Sequence, residues 1–255
     1  MHRPHIVLFV LLVLLTSACE EEVQEPLDLS ADQAYYPLVL NEPAFYDQDS
    51  IVLFNTTAGI VYDTSHAEVR ETLVEAFTEA DGSVSYRGER WQRADAGSPW
   101  RFVQTYTVTR TDGAIVRRED NLQFTKLIFP IRQGRSWDGN AAFDERREIV
   151  VGGEFLDVFN GWDYRYEDTG LSYELPDGGS TNEALFVRQA RVEDNLIDYR
   201  IAYEVYAPGV GLLERFLDAR HTQCRVCCNV DTEMCIDLPW NEKAEKGFIL
   251  RQKRK

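Results

Sequence analysis

Residue-by-residue alternation constrains this chain more than any other feature in it. WDYRYED puts Trp162, Tyr164 and Tyr166 in one phase and Asp163, Arg165 and Glu167 in the other. IDYRIAYEVY sets Ile197, Tyr199, Ile201, Tyr203 and Val205 against Asp198, Arg200 and Glu204. A period of two belongs to a strand with unlike faces, not to a helix. RFVQTYTVTR (101–110) and NLQFTKLIFPI (121–131) are rich in the Thr, Phe, Val and Ile that a pleated surface favours. ADGS (80–83), TDGA (111–114) and PDGG (176–179) separate extended runs and have hairpin-turn chemistry. The expectation is a mainly β protein built on a single antiparallel sheet. Its apolar phase is packed and its polar phase faces water.

Two stretches need a decision. SHAEVRETLVEAF (65–77) fits a helix capped by Ser65 and Glu68, and it fits a strand carrying Val69, Leu73 and Phe77. ADGS just downstream needs a strand before it, which favours the strand. PWNEKAEKG (239–247) is assigned a short helix stopped by Gly247. Gly209 and Gly211 mark a turn or bulge where the sheet bends.

The N-terminus carries an address. Arg3, with His2 and His5, precedes an unbroken apolar run of ten residues, Ile6 to Leu15. That is the layout of a secretory signal, and it is too short for a membrane span, which takes about twenty residues. TSAC (16–19) resembles a bacterial lipobox, which makes Cys19 the lipidated first residue of the mature chain. A plain signal cleaved near Ala18 is the competing reading. Residues 19–34 read as an acidic flexible tether, 35–220 as one antiparallel β domain, and 221–255 as a Cys-rich segment packing on it.

Four of the five cysteines fall within CRVCCNVDTEMC (224–235). An exported chain meets an oxidising compartment, so Cys224, Cys227, Cys228 and Cys235 are expected to form two disulfides. A bridge between the adjacent Cys227 and Cys228 strains the peptide. Two connectivities remain: 224–227 with 228–235, or 224–228 with 227–235. The competing reading is a zinc site on the same four thiolates, but the usual second knuckle is missing.

Removal of residues 1–18 takes away Arg3 and no acid, so the net charge goes from −16 to −17. Such a surface repels nucleic acid and anionic membranes. No GxSxG or HExxH motif is present, and PGVGLLE lacks the third glycine of a dinucleotide fingerprint. His66 and His221 are the two histidines outside the signal and read as isolated. DGNAAFDE (138–145) offers Asp138, Asn140, Asp144 and Glu145 as oxygen ligands, but reads first as an exposed polar loop. No catalytic residue, cofactor or resident metal is expected. Trp91, Trp100, Trp137, Trp162 and Trp240 either pack the core or line a ligand face.

YYPL (35–38), KLIFPIRQGRSWDGN (126–140), YAPGVGLLER (206–215) and the cysteine block running into LPWNEKAEKGFIL together resemble a family of uncharacterised outer-membrane lipoproteins of the Bacteroidota. In lipoproteins of that phylum an acidic start such as Glu20–Glu22 accompanies export to the cell surface. YAPGVGLLER is also similar to a stretch of exported β proteins with curved half-barrels, so the resemblance implies a single antiparallel, curved sheet, half-barrel or barrel-like, a lipid anchor in the outer membrane and no established reaction. Two functions are carried forward. One is a non-enzymatic surface lipoprotein that binds a ligand or serves an outer-membrane protein partner. The other is a surface hydrolase, for example on glycans, using paired carboxylates.

Overall fold

Antiparallel pairing of long alternating strands accounts for nearly all of the molecule. The computed structural model describes residues 27–225 and 231–255. In chain order the elements are α1 (Ser30–Gln33), β1 (Pro43–Thr56), β2 (Gly59–Thr78), β3 (Val84–Arg93), β4 (Arg101–Arg110), β5 (Ala114–Glu119), β6 (Leu122–Ile128) and β7 (Ser136–Trp137). There follow β8 (Glu148–Val151), β9 (Glu154–Asp157), β10 (Tyr164–Glu174), β11 (Ser180–Val192), β12 (Asp198–Ala207), β13 (Gly211–His221), α2 (Thr232–Ile236), α3 (Trp240–Lys243) and β14 (Lys246–Arg254).

Twelve strands form one sheet in the order β6-β5-β4-β3-β2-β1-β14-β13-β12-β11-β10-β7. The three DG turns join β2 to β3, β4 to β5 and β10 to β11, as their chemistry requires. Gly82 and Gly178 adopt positive φ, and Asp81 and Asp177 accept from backbone N–H groups two residues on. SHAEVRETLVEAF lies wholly within β2. A register shift between Leu73 and Glu75 breaks its phase before Phe77 is reached.

The sheet curls until its two ends meet. Thr125 N–H donates to Gly139 O at 2.8 Å, and Trp137 Nε1 donates to Thr125 O at 2.8 Å. The Tyr166 hydroxyl donates to Ile128 O at 2.7 Å. The result is a nearly closed barrel. One end is covered by the N-terminal segment, where Ile131 N–H donates to Asp32 Oδ2 and Gly209 N–H donates to Ala34 O. Tyr36 packs on Tyr206 beneath it. The far end is filled by Phe124, Phe143, Phe159 and Trp162, together with the β8–β9 hairpin.

Several expectations are corrected here. Within the tether expected over residues 19–34, Ser30–Gln33 form the short helix α1, and Asp32 and Ala34 have partners on the rim, while residues 19–26 lie outside the described residues. The C-terminal segment is not only laid against the sheet, since β14 is inserted between β1 and β13. α3 ends at Lys243 rather than at Gly247, which is a β14 residue paired with Arg220 and Leu53. Asn140 is fully buried and accepts from the Tyr164 hydroxyl, so DGNAAFDE is not simply an exposed loop.

Candidate functional site

The barrel interior is where charge is concentrated. Barrel closure puts alternate residues of every strand into a shared lumen. On β2 the lumenal phase is Val69, Glu71, Leu73, and on β5 it is Ile115, Arg117 and the half-buried Glu119. On β12 it is Arg200, Ala202, Glu204 and Tyr206. This reverses the expected orientation of β12. Glu204, assigned to the wet side, is 0% exposed, while Tyr203 stacks between Phe186 and Phe216 on the outside.

These side chains form one ionic layer across the lumen. Arg117 donates twice to Glu71, with both contacts at 2.9 Å, and its Nε reaches Glu119 at 3.0 Å. Arg90 Nε donates to Glu71 at 2.8 Å. On the facing wall Glu204 is held by Lys126 at 2.7 Å, Arg215 Nε at 2.8 Å, Gln189 at 2.8 Å and the Tyr206 hydroxyl at 2.6 Å. The Lys126–Glu204 pair joins β6 to β12 across the barrel. The Arg117 guanidinium lies 3.8 Å from the Tyr106 ring centroid. Gly88 makes room for that ring, because a Cβ there would stand 2.1 Å from Tyr106 Cζ.

Burial opposes ionisation of all three carboxyls, and their cations outweigh it. Arg117 and Arg90 hold Glu71 well below the usual carboxylate range. Glu119 is brought to about 2 by Arg117, Arg215 and Arg90 against its burial. Glu204 is likewise brought to about 2 by Lys126 and Arg215. Burial also pushes Lys126 down, and Glu204 opposes that shift; at 2.7 Å from an ionised carboxylate we take the pair as ionic.

A cavity of about 160 Å³ opens beside this layer, under the N-terminal segment. Tyr36, Tyr46, Tyr106, Arg117, Arg215 and Arg254 are among its walls. Gly211, at φ 86° where β13 begins, lets Pro37 lie across the opening, with a Cβ there only 3.2 Å from Pro37 Cδ.

The residues singled out in the sequence lie elsewhere. Cys19 falls outside the described residues, as do Cys227 and Cys228. Cys224 is bonded to Cys235, with Cα atoms 6.0 Å apart. Neither favoured connectivity contains that pair. Asp231 caps α2 by accepting from Glu233 and Met234 N–H, which turns the chain so that Cys235 returns to Cys224. Sulfurs joined in a disulfide offer no thiolate, so this pairing also opposes the four-thiolate zinc site. The segment lies on the outer face, with Trp240 5.5 Å from the Tyr199 ring and Tyr62 hydroxyl donating to Asn241 O. His66 pairs with Asp49 on the exposed surface. His221 pairs with Asp198 at the far rim, six residues and roughly 20 Å along β13 from Arg215. Trp137 and Trp162 pack against Tyr164, whereas Arg70 and Arg93 cover the faces of Trp91 and Trp100 outside the barrel. Among the described residues Asp138, Asn140, Asp144 and Glu145 form no metal cluster.

Sequence reasoning missed the lumen residues, although one signal was available. Glu71 stands between Val69 and Leu73, and Arg117 follows Ile115, each in the apolar phase of its strand.

No family model and no curated protein matches the chain. Two solved structures are similar to it. One is an exported-protein candidate with a YmcC-like fold from Bacteroides fragilis, at 10% identity and TM-score 0.38, covering 86% of this chain and 98% of that one. The other is a lipoprotein candidate from Parabacteroides distasonis, at 11% identity and TM-score 0.34, covering 87% and 98% respectively. No residue role is carried over from either.

Proposed function

We propose that this chain is an exported lipoprotein anchored through Cys19 in the outer membrane and facing the cell surface, where its barrel binds a small ligand without transforming it. The observation that carries the binding role is the cavity of about 160 Å³ set against a buried ionic layer. A buried charge layer costs desolvation that an apolar core avoids, and recognition of a ligand in the adjoining cavity is a use that offsets the cost. Within that layer the carboxyls do not suit glycoside hydrolysis. A general acid needs a carboxyl raised toward neutrality, and Glu71, Glu119 and Glu204 are all lowered. They serve as fixed counter-ions. Service to an outer-membrane protein partner is compatible with this role. The anchor is supported by the apolar run ending in TSAC, since more than one acyl chain holds a protein durably.

Two measurements test these parts separately. Cys19→Ala should move the protein from the membrane to the soluble fraction of its native host, and retention in the membrane would refute the anchor. Ligand-observed NMR with a library of neutral and charged fragments should find binders that compete for one site. Val210→Trp, which fills the cavity mouth from the β12–β13 turn, should abolish that binding. A library without a single binder sensitive to Val210→Trp would refute the lumenal site.

A further inference from the structure

We infer that the lumenal site selects a small organic monoanion, a carboxylate, with Arg215 as its anchor; this rests on the binding role proposed above. Charge counting is the first ground. In the layer that borders the cavity, four cations, Arg90, Arg117, Lys126 and Arg215, face three carboxylates, Glu71, Glu119 and Glu204, while the lumenal Arg200 lies apart toward the far end with Asp157 and Asp198 as its own partners. One positive charge is therefore unmatched in that layer, where the Arg90 and Arg215 side chains are only 16% and 13% exposed, inside a chain of net charge −16. An unmatched buried charge is costly, and one anion of unit charge cancels it. Arg254 adds a further cation at the mouth, its Nη1 3.5 Å from the Tyr46 hydroxyl. Glu42 is the acid on that side of the cavity, and it is exposed at the rim where solvent screens it.

Unused donors are the second ground. Arg215 gives its Nε to Glu204, and neither Nη group has a hydrogen bond to another described residue. The planar fork of Nη groups is shaped for a carboxylate. Gln252 lies opposite Arg215 in the β13–β14 register and is 0% exposed, yet neither its amide nitrogen nor its amide oxygen has a partner. Buried amides are almost always satisfied, so an orphan beside an underused guanidinium points to a polar guest.

Size and wall chemistry narrow the class. A cavity of this volume holds a ligand about as large as benzene. Leu73, Val108 and Leu212 form apolar wall, and the Tyr36 and Tyr46 rings add aromatic surface. A bare inorganic ion would leave that wall empty. A carboxylate on a short apolar or aromatic body uses both halves of the site.

Benzoate, its neutral analogue benzamide and inorganic phosphate are the probes for the full-length mature protein, titrated by calorimetry at neutral pH. Benzoate should bind at least tenfold more tightly than benzamide, and phosphate should not compete with it. Arg215→Gln should remove that preference. Gln252→Leu leaves every ion pair intact and relieves an orphaned amide, so it should fold at least as well as the parent while weakening benzoate severalfold. Equal binding of benzoate and benzamide would overturn the inference and leave the lumenal site standing. Phosphate binding without benzoate would overturn the organic-acid class. Binding of none of the three, if fragment binding sensitive to Val210→Trp is also absent, would overturn both readings. Unaltered benzoate affinity in Gln252→Leu and in a folded Arg215→Gln would place the probe elsewhere and overturn the assignment.

Discussion

The lumen and the outer face use the same Arg–Glu chemistry with different consequences. Arg117–Glu71 in the lumen is 2.9 Å long with side chains 3% and 6% exposed. Arg87–Glu75 on the outside is 3.0 Å long, but its side chains are 39% and 54% exposed. Geometry is nearly matched, so environment sets the difference. In the open pair, water and salt screen the attraction and hold either charge almost as well alone. In the lumen neither charge has water to fall back on, so each depends on its partner. An ion pair is thus decoration on one face of this barrel and structure on the other.

The largest expected effect comes from orphaning lumenal charge. Glu204→Gln leaves Lys126 and Arg215 without their carboxylate, and urea unfolding should show a loss of about 3–5 kcal/mol. A loss no greater than that of an exposed pair would mean that the lumen is wet. Acid should produce the next effect. Glu119 and Glu204 have folded values of about 2 against an ordinary 4.5, so their contribution is complete above pH 4.5 and is lost as pH falls toward 2. Buried Tyr46 is shifted the other way, from 10.0 to about 12, by burial and by Glu71. It favours the fold below pH 10 and withdraws that support as pH rises toward 12. Stability measured by urea at a series of pH values should therefore fall on an acid limb below pH 4.5 and on an alkaline limb above pH 10, and the acid limb should shrink in Glu204→Gln.

Glycines sharpen the comparison at smaller scale. Gly88→Ala drives a methyl into the Tyr106 ring inside the barrel and should cost about 1–3 kcal/mol. Gly113→Ala, at an outer turn where a Cβ meets nothing within 4 Å and φ is not positive, should be neutral or stabilise by about 0.4–1 kcal/mol. Thermal unfolding of the two variants side by side would settle this, and an equal loss in both would sink the packing argument. The smallest effect belongs to Glu75→Ala, which should leave the urea midpoint of the parent unchanged.

Strand content was legible because it is local. Alternation over Tyr164–Tyr166 and Asp198–Tyr206, and Asp-Gly pairs at the turns, are properties of neighbouring residues, and each survives into β10, β12 and the hairpins. Lumenal chemistry was not legible in the same way. Alternation in β12 shows two unlike phases but not which of them faces inward, and the rule that polar residues face water chose wrongly. Glu204 lies inside because Lys126 and Arg215, 78 and 11 residues away along the chain, meet it there.

By itself the sequence determined a β chain with hairpin turns, an apolar run of ten residues near the N-terminus, a net charge of −16 and a cysteine-dense end. Only the tertiary structure decided that the sheet closes on itself, that β14 fills the place between β1 and β13, and that Cys224 meets Cys235. It also decided that the interior is ionic. The physical reason is common to all four: each depends on which distant residues share a space. Closure makes one face of every strand common to all, so a residue's environment is set by its partners across the barrel and not by its neighbours in the chain.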